Sequence, residues 1–161
     1  MVRAAPATVR IALGDGQIAL CDLGDFGKVR GLPWRSNGRY AVADVAGKHL
    51  LMHRVILGLT DGEIGDHIDA NGFDNRRANI RKCTPGQNVM NRRKLIVKTS
   101  RFKGVYRVPD KRRWAAKIVV EGVTEHIGMF DTQIEAAKAY DRIAPLRHGQ
   151  FAKTNKQLGL Y

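Results

Sequence analysis

The chain has 161 residues, 43% of them hydrophobic and 27% charged. That suits one ordinary domain or two small ones and excludes wholesale disorder. A net charge of +13 and a pI near 10.3 call for a polyanionic partner, nucleic acid first and an anionic membrane surface second. No apolar run approaches 18 residues, so no transmembrane helix is expected, and the opening MVRAAPATVR lacks the apolar stretch of a secretory signal. Cys21 and Cys83 lie far apart without a CxxC spacing, which excludes a cysteine-rich zinc module and a disulfide framework. Both are expected as small buried residues in a reducing, intracellular setting.

In chain order, Arg10–Leu13 and Gln17–Cys21 flank a Gly14-Asp15-Gly16 turn and read as a hairpin. Tyr40–Val45 and His49–Met52 flank Ala46-Gly47-Lys48 and read as another. Arg54–Leu59 is apolar enough for two helical turns, stopped at Gly58 or Asp61-Gly62. Thr84, Pro85 and Gln87 spell a capping box with proline at the first helical position, predicting a helix from Pro85 to about Leu95.

Beyond a Lys/Thr/Ser joint near residues 98–101 the pattern turns to strands: Gly104–Val108, then a Pro109-Asp110 turn, then Trp114–Val120. Alternation in the last places Trp114, Ala116, Ile118 and Val120 on one side and Ala115, Lys117 and Val119 on the other. Glu121-Gly122 turns the chain into His126–Phe130. Thr132 and Glu135 then form a second capping box, opening an amphipathic helix that Pro145 is expected to end or kink. Three strands and one helix make a small domain, with one sheet face covered and the other free.

Charge is uneven along the chain. Residues 1–48 carry seven Lys/Arg against four acids, 49–88 carry five against five, and 89–161 carry sixteen against six. The basic stretch from Asn88 to Lys117 runs into strands bearing Phe102, Tyr106 and Trp114, which favours a nucleic-acid footprint over a solvated tail.

The residues between Glu63 and Asn88 carry the candidate chemistry. Asp66 offers a carboxylate and Asn88 an amide oxygen, hard donors that suit Mg²⁺ better than zinc. His67, beside Asp66, titrates near neutrality and can take a proton from water. Asn88 falls in the first turn of the Thr84-capped helix, whose positive end would face a phosphate. Taken singly, each residue is ordinary surface, loop or helix-face polarity; together they could hold a metal on a phosphate, a joint pattern far less common by accident.

Asp66-His67, Asn79 twelve residues after His67 and Asn88 nine further on resemble the HNH nucleases in their His-Asn-Asn form. "HRVILG", "DHIDANGFDNRRANIR" and "CTPGQNVMNRR" are similar to phage and intron-encoded HNH homing endonucleases. The resemblance implies a ββα-metal fold, with His67 as general base, Asp66 and Asn88 as metal ligands, and Asn79 as a loop-spanning residue that keeps His67 oriented. It implies Mg²⁺ or Mn²⁺ as cofactor, and products with 5′-phosphate and 3′-hydroxyl ends. His53 and Arg54 are open between DNA contact near the cut and a helix start.

"FKGVYR", "RWAAKI", "HIGMFDT" and "EAAKAYD" resemble the plant ethylene-response-factor (Apetala-type) DNA-binding domain, which lays a three-stranded sheet in the major groove. That resemblance implies that Lys103, Tyr106, Lys117 and His126 face DNA. Arg107 and Arg113 are natural phosphate partners, and Arg92 and Arg93 are expected to bind DNA as well. Tyr106, Val119 and Thr124 stand where the plant domains carry base-reading arginines, so no target sequence transfers.

The expectation is an α+β protein of two parts. Residues 1–97 form an HNH nuclease domain, with N-terminal β-hairpins to residue 52 and a ββα-metal core over about 53–97. Residues 98–161 form a three-stranded antiparallel sheet plus one helix. It is expected to cut double-stranded DNA away from membranes, in the cytoplasm of the host of a phage or mobile element, with the oligomeric state open and a monomer slightly favoured. The rivals are a non-catalytic DNA-binding protein with a relic HNH module and, third, an RNA-binding basic protein.

Overall fold

The structure is a computed structural model and describes residues 6–91, 99–109 and 112–161. Its contacts divide the chain into two compact units, Met1–Pro85 and Gly86–Tyr161. The boundary expected at 97/98, and the expected helix end at Leu95, lie outside the described residues. Among the described residues no helix is long and apolar enough to cross a membrane.

In the first unit, β1 (Thr8–Ala12) and β2 (Ile18–Asp22) form an antiparallel hairpin running from Thr8↔Asp22 to Ala12↔Ile18. A short helix α1 (Leu23–Val29) follows. The strands β3 (Arg35–Ser36), β4 (Ala41–Val45) and β5 (Lys48–Leu51) make a three-stranded antiparallel sheet in that order. Ala46 (φ 49°) and Gly47 (φ 74°) turn β4 into β5, two successive positive φ angles that match the twist of a tight hairpin. Next comes α2 (Met52–Leu57), closed by left-handed Gly58. It starts two residues earlier than the apolar run suggests, because Met52 and Ile56 bury fully into the core. The hairpin strands β6 (Ile64–His67) and β7 (Ile80–Cys83) pair antiparallel, joined by a twelve-residue loop from Ile68 to Asn79. The core gathers Ala19, Cys21, Val29, Trp34, Ala43, Met52, Ile56 and Ile80 from most of these elements. Both cysteines are buried and unpaired.

α1 was not expected, since LGDFGKV carries two glycines that weaken a helix. Tertiary contacts override that weakness. Val29 is fully buried, and Asp25 accepts from Lys28 one turn on (2.7 Å) and from Arg77 of the β6–β7 loop (2.7 and 2.8 Å).

The second unit opens with most of α3 (Pro85–Asn91). Its sheet has the order β10-β9-β8, from β8 (Val105–Arg107), β9 (Trp114–Val120) and β10 (Val123–Phe130), all antiparallel. Glu121 (φ 50°) and Gly122 (φ 84°) make the β9–β10 turn, and a bulge falls between His126 and Gly128. Helix α4 (Gln133–His148) begins with the expected capping box: Thr132 Oγ1 accepts from the Glu135 amide and the Glu135 carboxylate from the Thr132 amide. Ala136, Ala137, Tyr140 and Ala144 pack it onto Val105, Ala116 and Ile118 of the sheet. Gly104 (φ 75°) admits the Tyr140 ring, which a Cβ there would overlap.

Pro145 does not end this helix, one of the two outcomes expected of it. The helix runs through it for three more residues, because Ala144 is buried and His148 Nε2 donates to the Val119 carbonyl (2.9 Å), anchoring the last turn to β9. Gly149 N–H then returns to the Pro145 carbonyl. Past the helix, fully buried Asn155 and terminal Tyr161 hydrogen-bond the Asp141 carboxylate and tie the tail back.

Candidate active site

Strand β6 delivers Asp66 and His67 side by side at its end, and both side chains are buried. Across the hairpin Asp66 faces Arg81, whose Nε and Nη2 donate to Asp66 Oδ2 at 3.2 and 2.9 Å. Both partners of this ion pair are about nine-tenths covered, so it is far less screened than a surface pair.

The β6–β7 loop is a chain of local polar turns. Asn71 N–H donates to Asp69 Oδ1 (2.7 Å), Phe73 N–H to Asn71 Oδ1 (3.1 Å), and Arg76 N–H to Asp74 Oδ1 (3.2 Å). Asn79 spans the loop. Its Oδ1 accepts from the Asp69 amide (3.0 Å), its Nδ2 donates to the Asp74 carbonyl (2.8 Å), and its own carbonyl takes the Ile68 amide (2.8 Å). The loop is also fastened to the N-terminal elements. Leu20 of β2 exchanges backbone bonds with Phe73 and Asn75 (2.8 Å each), and Asp22 accepts the Arg77 amide (2.8 Å).

Asn75, which sequence reasoning did not single out, hydrogen-bonds the His67 ring. It is 1% exposed, its Nδ2 donates to the Phe73 carbonyl (3.1 Å), and its Oδ1 lies 3.2 Å from His67 Nε2. With the amide turned that way, Oδ1 can only accept, so Nε2 carries the proton and Nδ1 is the basic nitrogen. Burial pushes the His67 pKa below its ordinary value, against the Asn75 hydrogen bond and the charges of Asp69, Asp66 and Asp74. The ring is therefore neutral at physiological pH, the form a general base needs.

A second histidine stands beside it. His53, on α2, is 5% exposed and meets His67 edge to face with ring centroids 4.7 Å apart. Tyr40 lies 5.7 Å from both rings. The run "HR" at the head of α2 is the signal for this histidine in the sequence.

Among the described residues there is no group of three or more His, Cys, Asp or Glu side chains suited to a metal. That is no bar to a hard divalent ion, which keeps several waters and takes one or two protein oxygens plus substrate phosphate. The Asp66 carboxylate and an asparagine amide oxygen fit that chemistry. Asn88 stands in α3, half-buried, within the second unit.

The remaining sequence candidates lie in the second unit. The sheet face away from α4 carries Tyr106, Lys117, His126, Thr124 and Val119 in cross-strand register. Lys117 Nζ sits 5.1 Å from the Tyr106 ring centre, and His126 is exposed. Arg107 is exposed with its guanidinium 6.0 Å from the Trp114 ring centre, and Arg113 pairs with Asp131 at 3.1 Å. Lys103 is only partly exposed. Its ammonium donates to the Met90 carbonyl, and burial lowers its pKa to about 8. Arg92 and Arg93 lie outside the described residues.

No family model matches the chain, and no solved structure does either. Over 85 residues, 52% of this chain, it is 34% identical to an ethylene-responsive transcription factor of Medicago truncatula, covering 31% of that protein. Over 150 residues it is 32% identical to an uncharacterized HNH endonuclease of Acanthamoeba polyphaga mimivirus, a match that takes in 89% of this chain and 77% of its relative. A likeness of that extent takes in the Asp66-His67 hairpin and both units together, and by it the chain belongs to the HNH endonuclease family.

Proposed function

We propose that the protein is a metal-dependent endonuclease that hydrolyses phosphodiester bonds in double-stranded DNA through an HNH centre of the ββα-metal type. The observation that carries this reading is the buried His67, held through Nε2 by Asn75 beside the Asp66 carboxylate. His67 Nδ1 takes a proton from the attacking water, which adds to phosphorus in line with the departing 3′ oxygen. Asp66 and Asn88 supply the oxygens that would hold Mg²⁺ or Mn²⁺; when bound, the cation neutralises charge building on the phosphate and leaving oxygen. Asn79 keeps the loop closed, and Asn75 prevents the ring from turning. Lys117, Tyr106 and His126 meet the duplex from the open sheet face, with Arg107, Arg113, Lys103, Arg92 and Arg93 on phosphates.

The test is cleavage of supercoiled plasmid with Mg²⁺ or Mn²⁺. Wild type yields nicked or linear product that a chelator abolishes. His67→Ala loses cleavage by at least about 10³-fold, in the range for a lost general base, and retains DNA binding. A His67→Ala protein that cuts at the wild-type rate overturns the assignment. The Arg81–Asp66 ion pair favours one rival, a DNA-binding protein whose nuclease centre is closed by its own guanidinium. That rival gives DNA retention without product under every metal.

A further inference from the structure

Two aromatic rings enclose the His67 imidazole, and two glycines make room for them. A Cβ at Gly65 would come within 2.6 Å of His53 Cδ2 and 3.1 Å of Leu59 Cδ1. A Cβ at Gly72 would overlap the Arg39 carbonyl oxygen and come within 2.5 Å of Tyr40 Cδ1. Neither glycine has a positive φ, so backbone freedom does not explain them. The space each leaves is taken by a ring that also touches His67. His53 stands edge to face against it at 73°, and Tyr40 lies tilted by 30°.

Core packing alone is a poor account of His53. Among the described residues its Nδ1 meets no hydrogen-bond partner although it is buried. A buried nitrogen left without a partner carries a desolvation cost that an aliphatic side chain in the same place would not incur. What the imidazole provides is a flat, compact ring. Burial holds its pKa down at about 3, so it stays uncharged. A neutral ring is the neighbour that does not oppose positive charge forming on His67 during proton uptake.

We infer that Tyr40 and His53 are positioning residues, a two-ring clamp that fixes the plane of His67 so that its Nε2–H stays on Asn75 and its Nδ1 stays aimed at the attacking water. The inference rests on the nuclease reading for its catalytic consequence and on geometry alone for the clamp. A base displaced by about 1 Å can lose about 10²-fold in rate without any loss of substrate binding.

The experiment uses the full chain and three substitutions: Tyr40→Leu, Tyr40→Phe and His53→Leu. Tyr40→Leu and His53→Leu lower kcat by about 10²-fold with KM unchanged, whereas Tyr40→Phe, which keeps the ring, stays within about threefold of wild type. Tyr40 is only partly buried, so its variants report even where His53→Leu weakens the fold. A second readout needs no cleavage: ¹⁵N spectra of labelled histidine at pH 8, with His67→Ala to assign the signal. His67 is a single Nε2–H tautomer in wild type and in Tyr40→Phe, and a mixture of tautomers in Tyr40→Leu. Folded leucine variants that cut at the wild-type kcat, or an unchanged His67 tautomer in them, overturn the clamp. A wild type that never cuts, yet shows the tautomer change, overturns the nuclease reading and leaves the clamp standing.

Discussion

His53 makes a measurable contribution to pH-dependent stability at the level of a single residue. Its folded pKa is held down to about 3, against about 6.5 for the exposed side chain. Below pH 6.5 the unfolded chain binds a proton that the folded protein refuses. The stabilisation is thus fully present above 6.5 and is lost progressively as pH falls towards 3, at up to about 1.4 kcal/mol per pH unit. Asp25, held down to about 2 chiefly by its hydrogen bond to Arg77, acts in the same direction but only below its ordinary value of 3.8. Urea midpoints measured between pH 7 and 4 should therefore fall for wild type and fall less for His53→Leu. Parallel curves for the two proteins would show that His53 charges freely in the folded state. Asp66 and His67 were legible in the sequence because a fixed spacing of chemically matched residues separates them from background. Asn75 was not. The loop offers Asn71, Asn75 and Asn79 at equal spacing, and which of them reaches the ring depends on how Leu20 closes the loop onto β2, a contact across more than fifty residues.

Helix α1 is an element whose purpose lies outside itself. Seven residues with two glycines do not hold a helix unaided. What it offers is Asp25, which accepts from Arg77, and Arg77 in turn donates to the Ile56 carbonyl of α2 at 2.8 Å. Loop, α1 and α2 are thereby joined at one guanidinium. Asp25→Ala leaves those donors without their carboxylate and should cost about 1–3 kcal/mol. The loss is local to the loop, so hydrogen exchange followed by mass spectrometry should accelerate at residues 68–79 and stay unchanged across α4. Uniform acceleration throughout the first unit would mean that α1 supports the whole core instead. The contrast with α4 shows what an element must carry to be read from sequence. Thr132 and Glu135 write the start of α4 in local chemistry, and alternation writes β9 residue for residue. α1 has neither signal and exists through partners distant in the chain. Pro145 is the converse case, a strong local stop signal outweighed by the anchoring of Ala144 and His148.

At the scale of the whole chain, charge and chemistry are carried by different stretches. Residues 49–88 hold Asp66, His67, Asn75, Asn79 and Asn88 with five basic residues against five acids, whereas 89–161 hold sixteen against six. Retention of DNA should therefore follow the second stretch and bond cleavage the first. Each phosphate neutralised by Lys or Arg releases counterions and adds about 0.9 to the slope of log affinity against log salt. A footprint of about six contacts would lose about 10³-fold in affinity between 50 and 200 mM salt. Arg107→Ala and Arg113→Ala should each flatten that slope by about one, with no change in the rate of cutting once DNA is saturating. Chelation should do the reverse, removing all product while leaving both the affinity and its salt slope as they were. The two perturbations separate because no single residue has to serve both. Loss of DNA retention on chelation at constant salt would break that separation, since it would make the divalent ion, and with it the neutral stretch around His67, a main source of affinity.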